Sequence, residues 1–265
     1  RGPLSALSAP RTQSHPRVVQ PEPSAVNAHL HAHDPAERLV VVGDVHGCAA
    51  ELERLLTHLA VGAKDTLAFV GDLVAKGPDS KRVVEVARAR GAICVRGNHD
   101  EHCLRWRRAQ AAGEETKLSR HHAEVVGRLD ARDWAYLEST PLVIDVDGAG
   151  PNGATLRLVH GGLDPALPLD AQTPGLLMNA RSIDDQGVLH KRLEAGRPWG
   201  EFWQGPEYVV FGHDALRGLQ QHPHALGLDT GCVYGGKLTA AVFQGGGLTL
   251  ASVHAERVHH PPGGE

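Results

Sequence analysis

Residues 38–60 read RLVVVGDVHGCAAELERLLTHLA. Arg38–Val42 is a short apolar, β-branched run and Gly43–Gly47 a glycine-bounded turn; Leu52, Leu55, Leu56 and Leu59 then recur at i, i+3, i+4 and i+7. That order predicts strand, loop and amphipathic helix. The pattern returns in TLAFV (66–70), GDLVAKGP (71–78) and DSKRVVEVARARG (79–91), where Asp79 or Ser80 can cap a helix that Gly91 stops. A third round begins with AICV (92–95) before RGNHDEHCLRW (96–106). A β-α-β-α-β order predicts parallel strands joined by right-handed crossovers. Beyond a charged, helical stretch at about 114–138, the segments PLVIDV, TLRLVH, YVVFGH, LTAAVF and LTLASV read as short strands between glycine-rich turns. The sequence thus predicts an α/β sandwich: two mixed β-sheets packed face to face, with helices outside.

With 265 residues, 41% of them hydrophobic, the chain can bury a full core in one domain. A net charge of −4 supplies no global basic surface and argues against a general nucleic-acid coat. Cys48, Cys94, Cys103 and Cys232 lack CxxC spacing, which fits free thiols in a reducing compartment rather than a disulfide scaffold or zinc knuckle. No apolar run reaches the roughly 20 residues that span a bilayer, so no membrane partner is expected. A first residue Arg1 leads us to expect a start inside the gene product, with any targeting signal unread and cytoplasm the default expectation. Residues 1–36, rich in Pro, Ser, Ala and His, read as a disordered tail in which HLHAH (29–33) could catch a metal. One domain over 37–254 and a second tail over 255–265 complete the expected organisation.

Five apolar runs end alike: in Gly43-Asp44-Val45-His46-Gly47, Gly71-Asp72, Gly97-Asn98-His99-Asp100, His160-Gly161-Gly162 and Gly212-His213-Asp214. Ligands at the carboxyl ends of neighbouring parallel strands converge. A mixture of carboxylate, amide oxygen and imidazole suits divalent Mn, Fe or Zn and not calcium.

In this order, GDVHG, GDLVAKG, RGNHD, VHGG and FGHD resemble the phosphoprotein-phosphatase branch of the calcineurin-like metallophosphoesterases. LGLDTGCVYGGKLTAAVF (226–243) is similar to the symmetrical diadenosine tetraphosphate hydrolases and ApaH-like phosphatases. The resemblance covers about residues 38–245 and implies a site with two divalent metals, manganese first. It makes Asp44 and His46 ligands of one ion, Asp72 the bridge, and Asn98, His160 and His213 ligands of the other. His99 resembles the acid that protonates the leaving oxygen, while Lys76, Arg96, Asn98 and Arg181 are the expected phosphate ligands. The implied reaction is attack by metal-bound hydroxide on a phosphoanhydride, in dinucleoside polyphosphates first, with capped RNA ends or polyphosphate as related substrates.

In protein phosphatases of the family the matching segment reads GDxVDRG, and its second aspartate orients the acid histidine. Here that place holds Ala75, followed by Lys76. A serine alkoxide must be protonated as it leaves, whereas a nucleoside phosphate leaves with a terminal pKa of about 6. Ala75 therefore favours an anhydride over a protein serine/threonine phosphatase, and the full ligand set argues against a dead binding module. Elsewhere, Trp199, Phe202 and Trp203 read as core anchors rather than base-stacking faces, and Tyr234 as either a substrate contact or a turn filler. Arg105, Arg107 and Arg108 around Trp106 read as a solvated helix face, and His121, His122, His222 and His224 as surface histidines.

Overall fold

The computed structural model describes residues 28–31, 34 and 37–262. Its strands are β1 (Ala28–His31), β2 (Leu39–Val42), β3 (Thr66–Phe69), β4 (Ile93–Cys94), β5 (Val143–Val146), β6 (Leu156–Val159), β7 (Ser182–Ile183), β8 (Leu189–His190), β9 (Arg197–Pro198), β10 (Tyr208–Phe211), β11 (Gln220–Gln221), β12 (Ala225–Gly227), β13 (Lys237–Gln244) and β14 (Gly247–His254). The helices are α1 (Ala49–His58), α2 (Ser80–Ala89), α3 (Asn98–Ala111), α4 (Arg120–Val126), α5 (Ala131–Glu138) and α6 (Pro174–Leu177).

Two mixed sheets face each other. One runs β14-β13-β2-β3-β4, with β2, β3 and β4 parallel as the repeated strand-loop-helix pattern predicts and β13 antiparallel to β2. The other runs β1-β5-β6-β10-β12-β11, with β6, β10 and β12 parallel. Strand β2 shows why its sequence is continuously apolar: Leu39 and Val41 enter the core between the sheets, while Val40 and Val42 enter the core beneath the helices. Leu52, Leu55 and Leu56 of α1, Val83 and Val84 of α2 and Leu104 of α3 fill that outer core. On the far side, the six-stranded sheet is covered by α6, a small β8-β7-β9 sheet and Trp199 rather than by long helices. Trp199 is fully buried and donates its Nε1–H to Gly161 O at 3.0 Å, which fulfils the expectation of a core anchor.

Both ends differ from the simple tails expected. Ala28–His31 adds a parallel edge strand to Val143–Val146, where an edge offers unpaired backbone groups. The metal reading of HLHAH falls on side chains outside the described residues. At the other end, Ala255 N–H donates to Gly236 O at 2.9 Å, and the N–H groups of His259 and His260 both donate to Val233 O. His259 Nε2 also lies 2.9 Å from Glu51 Oε1, so the segment after β14 packs back onto α1 and the turn that carries Tyr234. No helix among the described residues is long and apolar enough to cross a membrane. All four cysteines are buried and unpaired.

Candidate active site

The loops after β2, β3, β6 and β10 and the first residue of α3 bring Asp44, His46, Asp72, Asn98, His160 and His213 to one edge of the sandwich. Backbone bonds lock the first two loops together: Val45 and His46 N–H donate to Asp72 O, and Gly47 N–H to Leu73 O. His46, Asp72, Ala75, Lys76 and His213 all have φ between 48° and 74°, a left-handed conformation that non-glycine residues hold only under constraint. The glycines around them permit close approach. A Cβ on Gly212 would overlap the Asp44 carboxylate, and one on Gly97 would overlap that of Asp72.

Two histidines are oriented by carbonyls. His46 Nδ1 lies 3.1 Å from Val74 O, and His160 Nδ1 lies 2.7 Å from Val70 O. A carbonyl only accepts, so each Nδ1 carries a proton and each Nε2 faces the centre, as in ligating histidines. Both Nε2 atoms lie 3.4 Å from Asp72 Oδ2, and His160 Nε2 also lies 3.0 Å from Asn98 Oδ1. His213 Nε2 is buried without a hydrogen-bond partner, while its backbone N–H donates to the Asp44 carboxylate. Asp44, Asp72 and His160 form one group whose ligand atoms lie within 4.8 Å of one another; His46, Asp72 and His99 form another. Asp72 is common to both.

The charges carry the same message. Burial, followed by the charge of Asp229, pushes the Asp44 carboxyl well above the usual range. Burial also opposes ionisation of Asp72, but His160, His99 and His46 outweigh it and hold the carboxyl well below that range. For His160, burial works against the proton, yet Asp72 and Asp44 prevail and push the imidazole up to about 10. Burial and then Lys76 bring His46 down to about 3. Two converging carboxylates, an orphaned imidazole nitrogen and two carbonyl-oriented rings fit divalent cations, whose charge would replace the proton that His160 otherwise holds.

A cavity of about 450 Å³ opens over this cluster, lined by Asp44, Asp72, His99, Lys76, Arg181 and Tyr234 among others. Lys76 Nζ sits 3.4 Å from His46 Nε2 and over the Tyr234 ring, 5.3 Å from its centroid. Arg181 lines the cavity while donating to His213 O at 3.1 Å and Lys191 O at 3.0 Å. Arg96 is not brought there. Its guanidinium donates to Glu101 Oε2, Thr140 Oγ1, Thr140 O and Glu138 O, tying α3 to the end of α5. These four acceptors hold Arg96 apart from the residues that line the cavity.

Asp229 and His122 are further site residues that the motifs did not single out. Asp229 follows β12 as Asp44 follows β2, and LGLD carries the same signal of a carboxylate after an apolar run. His122, expected at the surface, is buried, with Nε2 3.0 Å from His99 Nδ1 and Nδ1 2.6 Å from Ser119 Oγ. The helix-face arginines behave as expected: Arg107 pairs with Glu138, and Arg108 with Glu101.

The family pattern for calcineurin-like phosphoesterases matches residues 37–235. The chain is 31% identical to the symmetrical bis(5'-nucleosyl)-tetraphosphatase of Ralstonia nicotianae, over 83% of this chain and 95% of that protein. It is 25% identical to the asymmetrical bis(5'-nucleosyl)-tetraphosphatase PrpE of Oceanobacillus iheyensis, over 78% of this chain and 88% of that one. Among solved structures it is similar to a candidate diadenosine tetraphosphatase, with 37% identity and a TM-score of 0.73 over 86% of this chain and 98% of that chain. A protein serine/threonine phosphatase of Saccharomyces cerevisiae, 17% identical with a TM-score of 0.54 over 91% of this chain and 86% of that one, shares the fold alone.

Proposed function

Because the chain belongs to the calcineurin-like phosphoesterase family, we propose that it hydrolyses dinucleoside polyphosphates, cutting a bis(5'-nucleosyl) tetraphosphate into two nucleoside diphosphates. The observation that carries this reading is the partner of His99: its ring nitrogen meets the His122 imidazole, not a carboxylate, and Ala75 stands where an orienting aspartate would. Such an acid suits a leaving group that needs little protonation. The tetraphosphatase relatives support the same substrate class.

Asp44, His46, Asp72, Asn98, His160 and His213 would hold two divalent ions, with manganese the first choice for loading. When bound, the ions supply positive charge to the phosphoryl oxygens and acidify the attacking water. Lys76 and Arg181 place fixed cations along the cavity for the remaining phosphates. Water adds to an inner phosphorus and the central bridging P–O bond breaks, with His99 positioned to donate a hydrogen bond to the oxygen of the departing diphosphate, which leaves as the anion. Leu216, 77% exposed, shares the rim with Pro262 and Tyr234 and offers a nucleoside an apolar face.

The test is a substrate panel with manganese-loaded protein: diadenosine tetraphosphate, capped RNA, polyphosphate and a phosphoserine peptide. A kcat/KM for the dinucleotide at least about a hundredfold above that for the peptide is expected, a gap of about 2.7 kcal/mol in transition-state binding. Preference for the peptide overturns the reading.

A further inference from the structure

Ser119 stands at the N-cap position of α4, its hydroxyl turned to the histidines rather than to the helix backbone, and His122 lies in that helix's first turn, packed against α3 where His99 sits. His122 is buried, its ring lies within 10° of the plane of the His99 ring, and both its nitrogens are occupied. Ser119 Oγ also lies 3.1 Å from His121 Nε2. We propose that His122, held by Ser119, is the positioning residue that sets the orientation and tautomer of His99 in place of the carboxylate absent at Ala75. This rests on the reading of His99 as the hydrogen-bond donor to the leaving oxygen.

The proton directions follow from the donor inventory. A serine hydroxyl has one proton to give and lone pairs to receive. If His121 Nε2–H donates to Ser119 Oγ, the hydroxyl proton is free to donate to His122 Nδ1. Ser119 Oγ and His122 Nδ1 are 2.6 Å apart, within reach of that bond. His122 then carries its proton on Nε2 and donates to His99 Nδ1. Neutral His99 is left with its proton on Nε2, the ring nitrogen that His122 does not use. His99 lines the cavity, so the tautomer that can donate a hydrogen bond to a leaving oxygen is fixed by Ser119 and His122. A carboxylate in the same place would fix the tautomer with Nδ1–H donating outward and would favour the imidazolium. An imidazole fixes the opposite tautomer and adds no charge.

Two readouts test this on zinc-loaded full-length protein, with wild type, His122→Ala and His122→Gln compared. The glutamine amide can still donate to His99 Nδ1. In histidine ring 15N spectra, wild type and His122→Gln are expected to show His99 protonated on Nε2, and His122→Ala a mixture of tautomers. In kinetics, His122→Ala is expected to lower kcat on phenyl phosphate about tenfold or more at unchanged KM. On p-nitrophenyl phosphate, whose leaving group needs little acid, the loss should stay below about threefold, and His122→Gln should restore most of the rate. A merely structural histidine would depress both substrates alike. An unchanged His99 tautomer in His122→Ala, or equal losses on the two aryl esters, overturns the proposal. Neither readout uses a dinucleotide, so inactivity on diadenosine tetraphosphate would count against the substrate reading alone.

Discussion

Asp72 holds φ at 49° and shares a carboxylate oxygen between His46 and His160, each at 3.4 Å. A carboxylate at a buried strand end is costly unless neighbours of opposite charge compensate it; here His160, His99 and His46 do so, and a divalent cation held at the site would add to it. The same crowding makes distant-looking glycines sensitive. Gly212→Ala places a methyl against the Asp44 carboxylate, and turnover is expected to fall about a hundredfold with the metal ligands all intact, measured as kcat on the preferred substrate. Ala75→Asp restores a carboxylate in a buried position whose left-handed backbone aspartate tolerates. It should raise phosphomonoester hydrolysis relative to anhydride hydrolysis about tenfold, and an equal gain on both would show that the orienting group is not what separates the two substrates. At this scale the candidate ligands were legible because Asp44, Asp72, Asn98 and His213 each follow an apolar run and a glycine, and His160 ends its run just before Gly161 and Gly162. His122 was not, because its burial depends on α4 docking on α3, a long-range contact with no local signature. Arg96 misled for the converse reason: adjacency to GNHD does not reveal that Glu101 and Thr140 claim its donors.

Among the elements, the repeated strand-loop-helix units were readable from periodicity alone, since β2 and α1 are each set by spacing within the chain. The β8-β7-β9 sheet was not, because two-residue strands exist only through pairing with distant partners and carry no period of their own. Trp199 holds that cover to the six-stranded sheet, and Trp199→Ala is expected to cost about 3–5 kcal/mol in urea unfolding. Helix α5 offers a pH-dependent test away from the site. Its N-cap Asp130 accepts from the Asp133 and Arg132 N–H groups and faces Lys81; the Asp133 N–H, then Lys81, bring its carboxyl down to about 2. A carboxyl depressed in the folded state contributes stability above its unfolded pKa of about 3.9 and loses it as pH falls toward about 2. Asp130→Asn keeps a side-chain oxygen on the helix but not the charge. Wild type should therefore exceed the variant in stability at pH 6, with the gap closing between pH about 4 and about 2 in paired urea titrations.

For the whole molecule, two sheets with their strand ends at one edge explain how motifs spread from Asp44 to Asp229 meet in one cavity. The chain termini were the least legible part, because Pro-, Gly- and His-rich composition describes a segment's own propensity and not the surface it finds. Residues 255–262 bond to Gly236, Val233 and Glu51 beside the turn that carries Tyr234. Deleting residues 255–265 leaves the Glu51 carboxylate without its His259 partner and is expected to lower the melting temperature by about 2–8 °C and to raise KM for the dinucleotide. The central claim is that this edge cluster, joined through Asp72, hydrolyses the middle anhydride of a dinucleoside tetraphosphate. The most direct measurement is chromatography of the first products when manganese-loaded protein meets diadenosine tetraphosphate, with Asp72→Asn alongside. ADP as the only early product, and none from the variant, is the predicted result; an untouched substrate, AMP with ATP, or equal turnover by Asp72→Asn would contradict it.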